Sequence, residues 1–131
     1  MAVGLSDVGF GISQILPLVV QSLAARRQII TVEQPEVHIH PRLQADLGDL
    51  FATSIQEPRA NQFLIETHSE HLALRMQRLV RTGKLNAKDV SIVYVDRGEN
   101  GSTVTPVRLH DNGDFLDEFP GGFFPERLRE L

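Results

Sequence analysis

The sequence predicts an α/β domain with a mainly parallel sheet, flanking helices and an antiparallel edge hairpin. Helix-like and strand-like segments alternate along the chain, and two strand-like segments end the series. The first strand-like run, 28–33 (QIITVE), is apolar and β-branched without alternation, which is typical of an interior parallel strand. The last two runs flank the turn sequence RGENGS, which indicates a hairpin.

The first helix is predicted over residues 13–25, where large apolar side chains recur at helical spacing. Ser13 can cap its start, and Pro17 falls in the first turn or just past it. The strand over 28–33 follows, and its unbroken β-branched character predicts an interior strand of a parallel sheet rather than an edge strand.

The next helix and strand follow the same alternation. A second helix is predicted over 41–56, because proline suits its first position. After the strand over 62–67, a third helix is predicted over 70–82. Ser69 can cap this helix, and Gly83 stands where a left-handed residue usually ends one.

The hairpin strands are predicted over 91–96 and 103–109, and a segment rich in Gly, Pro and Phe begins at Asp111. Crossovers of this order are right-handed and give parallel pairing. We expect a main domain over 1–110 and a distinct tail over 111–131.

Composition excludes few functions. The 131 residues are 41% hydrophobic, enough for one core, and the net charge of -4 argues against a strongly basic nucleic-acid binder. The absence of cysteine rules out disulfides and thiolate ligands. The apolar stretch ILPLVV is too short to span a bilayer, so we expect a cytoplasmic protein without a membrane anchor.

Polar clusters follow two neighbouring strands, as EQPEVHIH over 33–40 and ETHSEH over 66–71. Ligands of open α/β sheets bind beyond the carboxyl ends of the strands, where both clusters would lie. Glu33 could hold Mg²⁺ there or be an ordinary acidic surface residue. His68 could likewise be a polar contact or have no special role.

Three segments in one order resemble motifs of ABC-type ATPases of the RecF, SMC and OLD group. Residues 29–41 (IITVEQPEVHIHP) resemble the Walker B segment and the D-loop, and residues 63–72 (FLIETHSEHL) resemble the loop of the switch histidine. Residues 7–19 (DVGFGISQILPLV) stand in the place of the signature motif. The chain is similar to predicted AAA-family ATPases that end in a short domain of unknown function, which residues 118–131 resemble.

The resemblance implies ATP and Mg²⁺ as cofactors and a homodimer of the full-length protein. It implies that Glu33 helps to hold Mg²⁺ and that His68 contacts the γ-phosphate. It also implies that Gly9, Gly11 and Ser13 present main-chain N–H groups to the nucleotide of a partner subunit, as a glycine-rich turn that opens a helix can do. Without the other two motifs, this turn would read as a plain helix start.

Two positions depart from the ABC pattern. Gln34 occupies the place of the catalytic glutamate, and an amide cannot take a proton from water at neutral pH. Hydrolysis is therefore expected to be slow unless Glu36 or neighbours that polarise the water compensate, and the catalytic candidates are Gln34, Glu36 and His68. In one alignment Gly9 replaces the usual signature serine, which removes a γ-phosphate contact.

No GxxxxGK[ST] sequence occurs in the chain, so the phosphate-binding loop with its lysine is missing. The chain would then carry half of a nucleotide site. We expect it to be the C-terminal part of a longer ATPase or a shortened version of one, active in the full-length protein and inactive alone. Relatives act in DNA repair, anti-phage defence and nuclease regulation, and the sequence selects none of these.

Two other classes stay open from the residues alone. A metal-dependent hydrolase would use the HxH pair with nearby acids and histidines: His38, His40, Glu36, Glu66, His68 and His71. An interaction module would use either the arginine row on the third helix for nucleic acid or the tail phenylalanines for a partner: Arg75, Arg78, Arg81, Phe115, Phe119, Phe123 and Phe124. A solvated helix face and an inward-folded tail are the simpler explanations of these residues.

Overall fold

The computed structural model describes residues 10–98 and 101–119. This part of the chain is α/β, which confirms the predicted class. Its elements are α1 (Phe10–Ala24), β1 (Ile29–Glu33), α2 (Pro41–Ser54), β2 (Gln62–Glu66), α3 (Glu70–Arg81), a 3₁₀ helix (Ala87–Asp89), β3 (Ile92–Gly98) and β4 (Gly101–Val107). The chain divides after Arg75 into two compact units. No helix of the described ranges is both long enough and apolar enough to cross a membrane.

Strands β1 and β2 form the parallel sheet of the first unit, in register from Ile29 beside Gln62 to Glu33 beside Glu66. One face of this sheet is covered, and the other is open: Ile29 is 73% exposed and Leu64 is 68% exposed. The prediction that β1 is an interior strand of its sheet is wrong for the described residues. Its sheet has only two strands there, and no described helix of the unit covers the second face.

Helix α2 packs on the covered face, where the rings of Phe51 and Phe63 lie 4.8 Å apart. Helix α1 contacts α2 and begins at Phe10, three residues before the predicted start. Ser13 therefore lies inside α1 rather than at its cap, and Pro17 lies in the helix interior.

A buried polar cluster joins the chain entering β1 to the chain entering β2. Ser54 Oγ donates to the main-chain oxygen of Ser22 at 2.7 Å. Asn61, which is 2% exposed, donates from Nδ2 to Ala25 O at 2.9 Å and to Ser54 Oγ at 3.0 Å. Its Oδ1 accepts from Gln28 N–H at 3.0 Å. Asn61 thereby satisfies buried groups that neither strand can pair.

The predicted starts of α2 and α3 are confirmed, whereas α2 ends at Ser54, two residues before its predicted end, and α3 ends at Arg81, one residue before. Pro41 is at the start of α2, and His40 caps this helix by accepting from Arg42 N–H at Nδ1. Ser69 Oγ caps α3 by accepting from Leu72 N–H at 3.2 Å. Gly83 ends α3 with a φ of +70°, a conformation that glycine adopts without steric cost.

The second unit contains the predicted hairpin, in which β3 and β4 pair from Ile92 beside Val107 to Gly98 beside Gly101. The described strands form two separate two-stranded sheets, so the hairpin is not an edge of the β1–β2 sheet as predicted. The pairing continues further into the turn than the sequence indicated.

Aromatic rings and one ion pair organise the segment after β4. The Phe119 ring contacts Tyr94 and Phe115 edge-on, with centroids 6.2 and 5.1 Å away. Arg108 binds both carboxylate oxygens of Asp117, at 2.7 and 2.8 Å. These hydrogen bonds hold the pKa of Asp117 at about 2. Phe123 and Phe124 lie outside the described residues.

Candidate functional site

The ends of β1 and β2 bring two acidic side chains together. Glu33 and Glu66 are the last paired residues of the two strands, and both are exposed. Because register partners of a parallel pair point to the same face, two negative charges stand side by side in water. A cation between them would relieve their repulsion. Glu66 belongs to the second of the two polar clusters that the sequence predicted at this end of the sheet, and the strand register pairs it directly with Glu33.

Gln34 extends the pairing one residue beyond β1. Its N–H donates to the main-chain oxygen of Glu66 at 2.8 Å, and its own carbonyl accepts from Val37 N–H at 3.2 Å. Its φ of +45° and the φ of +65° at His38 are uncommon for residues with a side chain. Such conformations concentrate at functional sites. The Gln34 side chain is exposed at this edge.

The carboxylate of Glu36 connects the turn after β1 to the residues after β2. One oxygen, Oε1, accepts from His68 N–H at 2.6 Å. The other, Oε2, accepts from Thr67 Oγ1 at 2.8 Å. The structure thus brings two of the predicted catalytic candidates, Glu36 and His68, into direct contact through the His68 main chain.

Two further side chains complete this connection. Ser69 N–H donates to Thr67 Oγ1 at 3.0 Å, and Ser69 Oγ donates to Gln44 Oε1 at 2.7 Å. Gln44 Nε2 returns to the turn after β1 by donating to Ile39 O at 3.2 Å and Glu36 O at 3.4 Å. We call Glu36, Thr67, Ser69 and Gln44 the polar ring. Together they fix both strand-end turns to α2.

Sequence reasoning missed Thr67, Gln44 and the side-chain link from Ser69. The position of Thr67 between Glu66 and His68 was a usable signal, because short hydroxyl side chains bond to nearby main chain where a strand ends. Gln44 gave no signal, since no helical spacing or capping pattern connects it with Glu36, Ile39 or Ser69.

The histidines of the proposed metal-hydrolase centre do not converge. His40 uses Nδ1 to cap α2, and the His68 side chain is exposed. Within residues 10–98 and 101–119, no group of three or more His, Asp or Glu residues could hold a metal ion. A catalytic zinc site needs about three protein ligands, so the described residues do not support that alternative.

The predicted signature turn is described only in part. Gly9 lies outside the described residues, while Gly11 and Ser13 lie in the first turn of α1. A Cβ on Gly11 would overlap the main-chain oxygen of His38, so the helix start packs tightly against the turn after β1. Gly11 is the second residue of α1, where a main-chain N–H has no partner within its own helix, so a ligand could accept from this group.

The arginine row of α3 is largely engaged within the protein. Arg75 lies 3.4 Å from Asp46 and 3.5 Å from Asp49. Arg81 lies 2.8 Å from Asp114. Two of the three arginines are thus balanced by carboxylates, which weakens the case for a phosphate-backbone surface on this helix.

Comparison with known protein families assigns the first part of the chain to a family. A protein family described as the AAA ATPase domain matches residues 1–73, more than half of the 131-residue chain. The matched range contains β1, β2 and the whole polar ring. No curated protein matches the chain, and no solved structure matches it.

Proposed function

Because this chain belongs to the AAA ATPase domain family, we propose that the carboxyl ends of β1 and β2 supply half of an ABC-type ATP site, as in the RecF, SMC and OLD group. The family implies ATP as the ligand and Mg²⁺ as its companion ion. The observation that carries the proposal is the parallel pairing of β1 and β2. This pairing brings Glu33 and Gln34, after β1, to the same end of the sheet as His68, after β2. Walker B and switch-histidine motifs follow one another along a chain in this order.

Glu33 suits a magnesium ion better than a metal held mainly by protein. Its carboxylate is exposed beside Glu66, and the described residues contain no denser cluster of ligands. Mg²⁺ keeps several waters and takes phosphate oxygens beside one or two carboxylates. Bound there, it would neutralise charge on the phosphates. In the proposal Glu33 holds the ion directly or through water, and Glu66 adds negative charge beside it.

Gln34 and His68 have different roles in this proposal. The exposed Gln34 amide can orient a water molecule by hydrogen bonding, but it cannot accept the proton of that water. General-base catalysis typically raises the rate by about 10²–10⁴-fold. Without a base the enzyme hydrolyses ATP slowly, so ATP stays bound for a long time before it is cleaved. The exposed His68 imidazole is free to contact a terminal phosphate. We therefore propose a slow ATP-dependent switch.

The proposal requires a phosphate-binding loop from outside this sequence, joined to it in what we call the full-length ATPase. The signature turn at Gly9, Gly11 and Ser13 completes the site of a second subunit. ATP should therefore drive homodimerisation of the full-length ATPase. Light scattering at saturating ATP measures this directly, and an unchanged monomer would contradict the dimer part of the proposal.

Two measurements test the proposed site. By calorimetry the isolated chain should bind Mg-ATP only weakly, because the phosphate-binding loop is missing, and submicromolar affinity would contradict the proposal. In the full-length ATPase, His68→Ala should lower single-turnover hydrolysis. His110→Ala is the matched control, since it removes an exposed histidine from the other compact unit. Equal rates for both variants would remove His68 from the site.

A further inference from the structure

Residues 67–69 lie between the end of β2 and the start of α3, where the main-chain N–H groups of His68 and Ser69 need partners other than a strand ladder or a helix. Side chains supply the partners instead. The Glu36 carboxylate accepts from His68 N–H at 2.6 Å, and Thr67 Oγ1 accepts from Ser69 N–H at 3.0 Å. A hydrogen bond to an ionised acceptor is about twice as strong as a neutral one. Glu36 is thus the strongest link between His68 and the turn after β1.

Glu36 is held at both its side chain and its main chain. Its second carboxylate oxygen accepts from Thr67 Oγ1 at 2.8 Å, and the Glu36 main-chain oxygen accepts from Gln44 Nε2. The side chain is half-buried, unlike those of Glu33 and Gln34, which are exposed. Glu36 therefore faces the residues after β2 rather than the solvent at the strand edge.

We propose that Glu36 is a positioning residue, whose carboxylate fixes the His68 main chain against the turn that carries Gln34. The inference rests on the proposed function, because the role of His68 at the γ-phosphate belongs to it. In this proposal Glu36 does not act as the base in place of the missing catalytic glutamate. The position of the His68 imidazole then depends on a contact made three residues beyond Glu33.

We call the two hydrogen bonds from Thr67 Oγ1 and His68 N–H to the Glu36 carboxylate the clamp. Substituting Glu36 with glutamine or with alanine distinguishes this clamp from a catalytic base. In Glu36→Gln, Oε1 still accepts from His68 N–H, and the new amide nitrogen can donate to Thr67 Oγ1. A clamp therefore survives this change, whereas a base does not. Glu36→Ala removes both contacts. Glu57→Gln is the matched control, since Glu57 is an exposed glutamate of the same unit, 3.7 Å from Arg27.

The first experiment needs no ATPase activity. Amide hydrogen exchange in the 131-residue chain should speed up at His68 by about tenfold or more in Glu36→Ala, since one charge-assisted hydrogen bond is lost. Glu36→Gln should keep most of the protection, and Glu57→Gln all of it. Gln34 N–H, bonded to Glu66 O, is the internal reference and should not change. Unchanged exchange at His68 in Glu36→Ala would overturn the clamp, and this result does not depend on any ATPase activity.

The second experiment measures single-turnover hydrolysis in the full-length ATPase. Glu36→Ala should lower the rate about tenfold with little change in ATP affinity, and Glu36→Gln should stay close to the parent. Adding Glu36→Ala to His68→Ala should cost nothing further, because Glu36 acts through His68. A large loss in Glu36→Gln, or losses that multiply in the double variant, would overturn the proposal. If exchange behaves as expected but His68→Ala keeps full activity, the proposed function fails and the clamp stands as a structural contact.

Discussion

The main-chain oxygen of His38 occupies the space that a side chain on Gly11 would need. The start of α1 therefore packs so closely against the turn between β1 and α2 that no side-chain atom fits between them. Gly11→Ala should destabilise the first unit by about 1–3 kcal/mol, the usual cost of overpacking. Urea denaturation measures this change. Gly98→Ala is the control, because a Cβ at Gly98 meets its nearest neighbour only at ordinary contact distance. Equal losses for both variants would contradict the tight contact.

Asn61→Ala should cost about 2–3 kcal/mol of the free energy of unfolding. The substitution leaves buried partners of Asn61 without a hydrogen bond, and such groups retain their desolvation cost. Ser22→Ala is the matched control in the same cluster. The Ser22 hydroxyl is buried without a hydrogen-bond partner in the described residues, so its removal should be neutral or slightly stabilising. A larger loss for Ser22→Ala than for Asn61→Ala would show that the cluster is wrongly assigned.

The pair of Arg108 and Asp117 should produce acid sensitivity in the second unit. Hydrogen bonds from Arg108 lower the pKa of Asp117 from 3.8 to about 2. Since the folded pKa is depressed, the stabilisation is complete above pH 3.8 and is lost as the pH falls through about 2. Carboxyl NMR titration should show the low pKa in the parent and a higher pKa in Arg108→Gln. Arg97→Gln, which removes a charge elsewhere on the hairpin, should leave the titration unchanged.

Gln34→Glu should raise single-turnover hydrolysis in the full-length ATPase. A carboxylate at this exposed position can take the proton that the amide cannot, and a positioned base is worth about 10²-fold at the lower end. The clamp assigned to Glu36 leaves this role vacant, so we expect a clear gain rather than a small one. Gln62→Glu adds the same charge at the opposite end of β2 and should have no effect. An unchanged rate in Gln34→Glu would mean that this turn is not the hydrolytic centre.

Local sequence signals predicted the elements because each one acts over a few residues. Pro41, Ser69 and Gly83 mark helix ends by their own conformational limits, and all three stand where expected. The environment of β1 was not predictable from such signals. An unbroken apolar run indicates burial, but what covers each face depends on neighbours distant in sequence. Ser13 was wrongly predicted to cap α1, because this helix begins three residues earlier, at Phe10.

The site was predictable only where it follows from topology. Parallel strands end at one edge, so the proximity of Glu33 and His68 could be expected from their positions after β1 and β2. The polar ring depends on side-chain contacts such as that between Ser69 and Gln44, which are 25 residues apart. No periodicity or capping rule links such residues. The role of Glu36 therefore emerged only from the geometry of its two oxygens.

The proposed site places Mg-ATP at the end of β1, so Mg²⁺-dependent ATP binding to Glu33→Gln measures whether this strand end holds the ion. Calorimetry on the full-length ATPase should show that Mg²⁺ strengthens ATP binding in the parent. Glu33→Gln should reduce that gain about tenfold, which corresponds to about 1.4 kcal/mol, and leave binding without Mg²⁺ unchanged. The control Glu57→Gln should behave like the parent. If Glu33→Gln keeps the full dependence on Mg²⁺, the end of β1 does not hold the ion and the proposed ATP site is wrong.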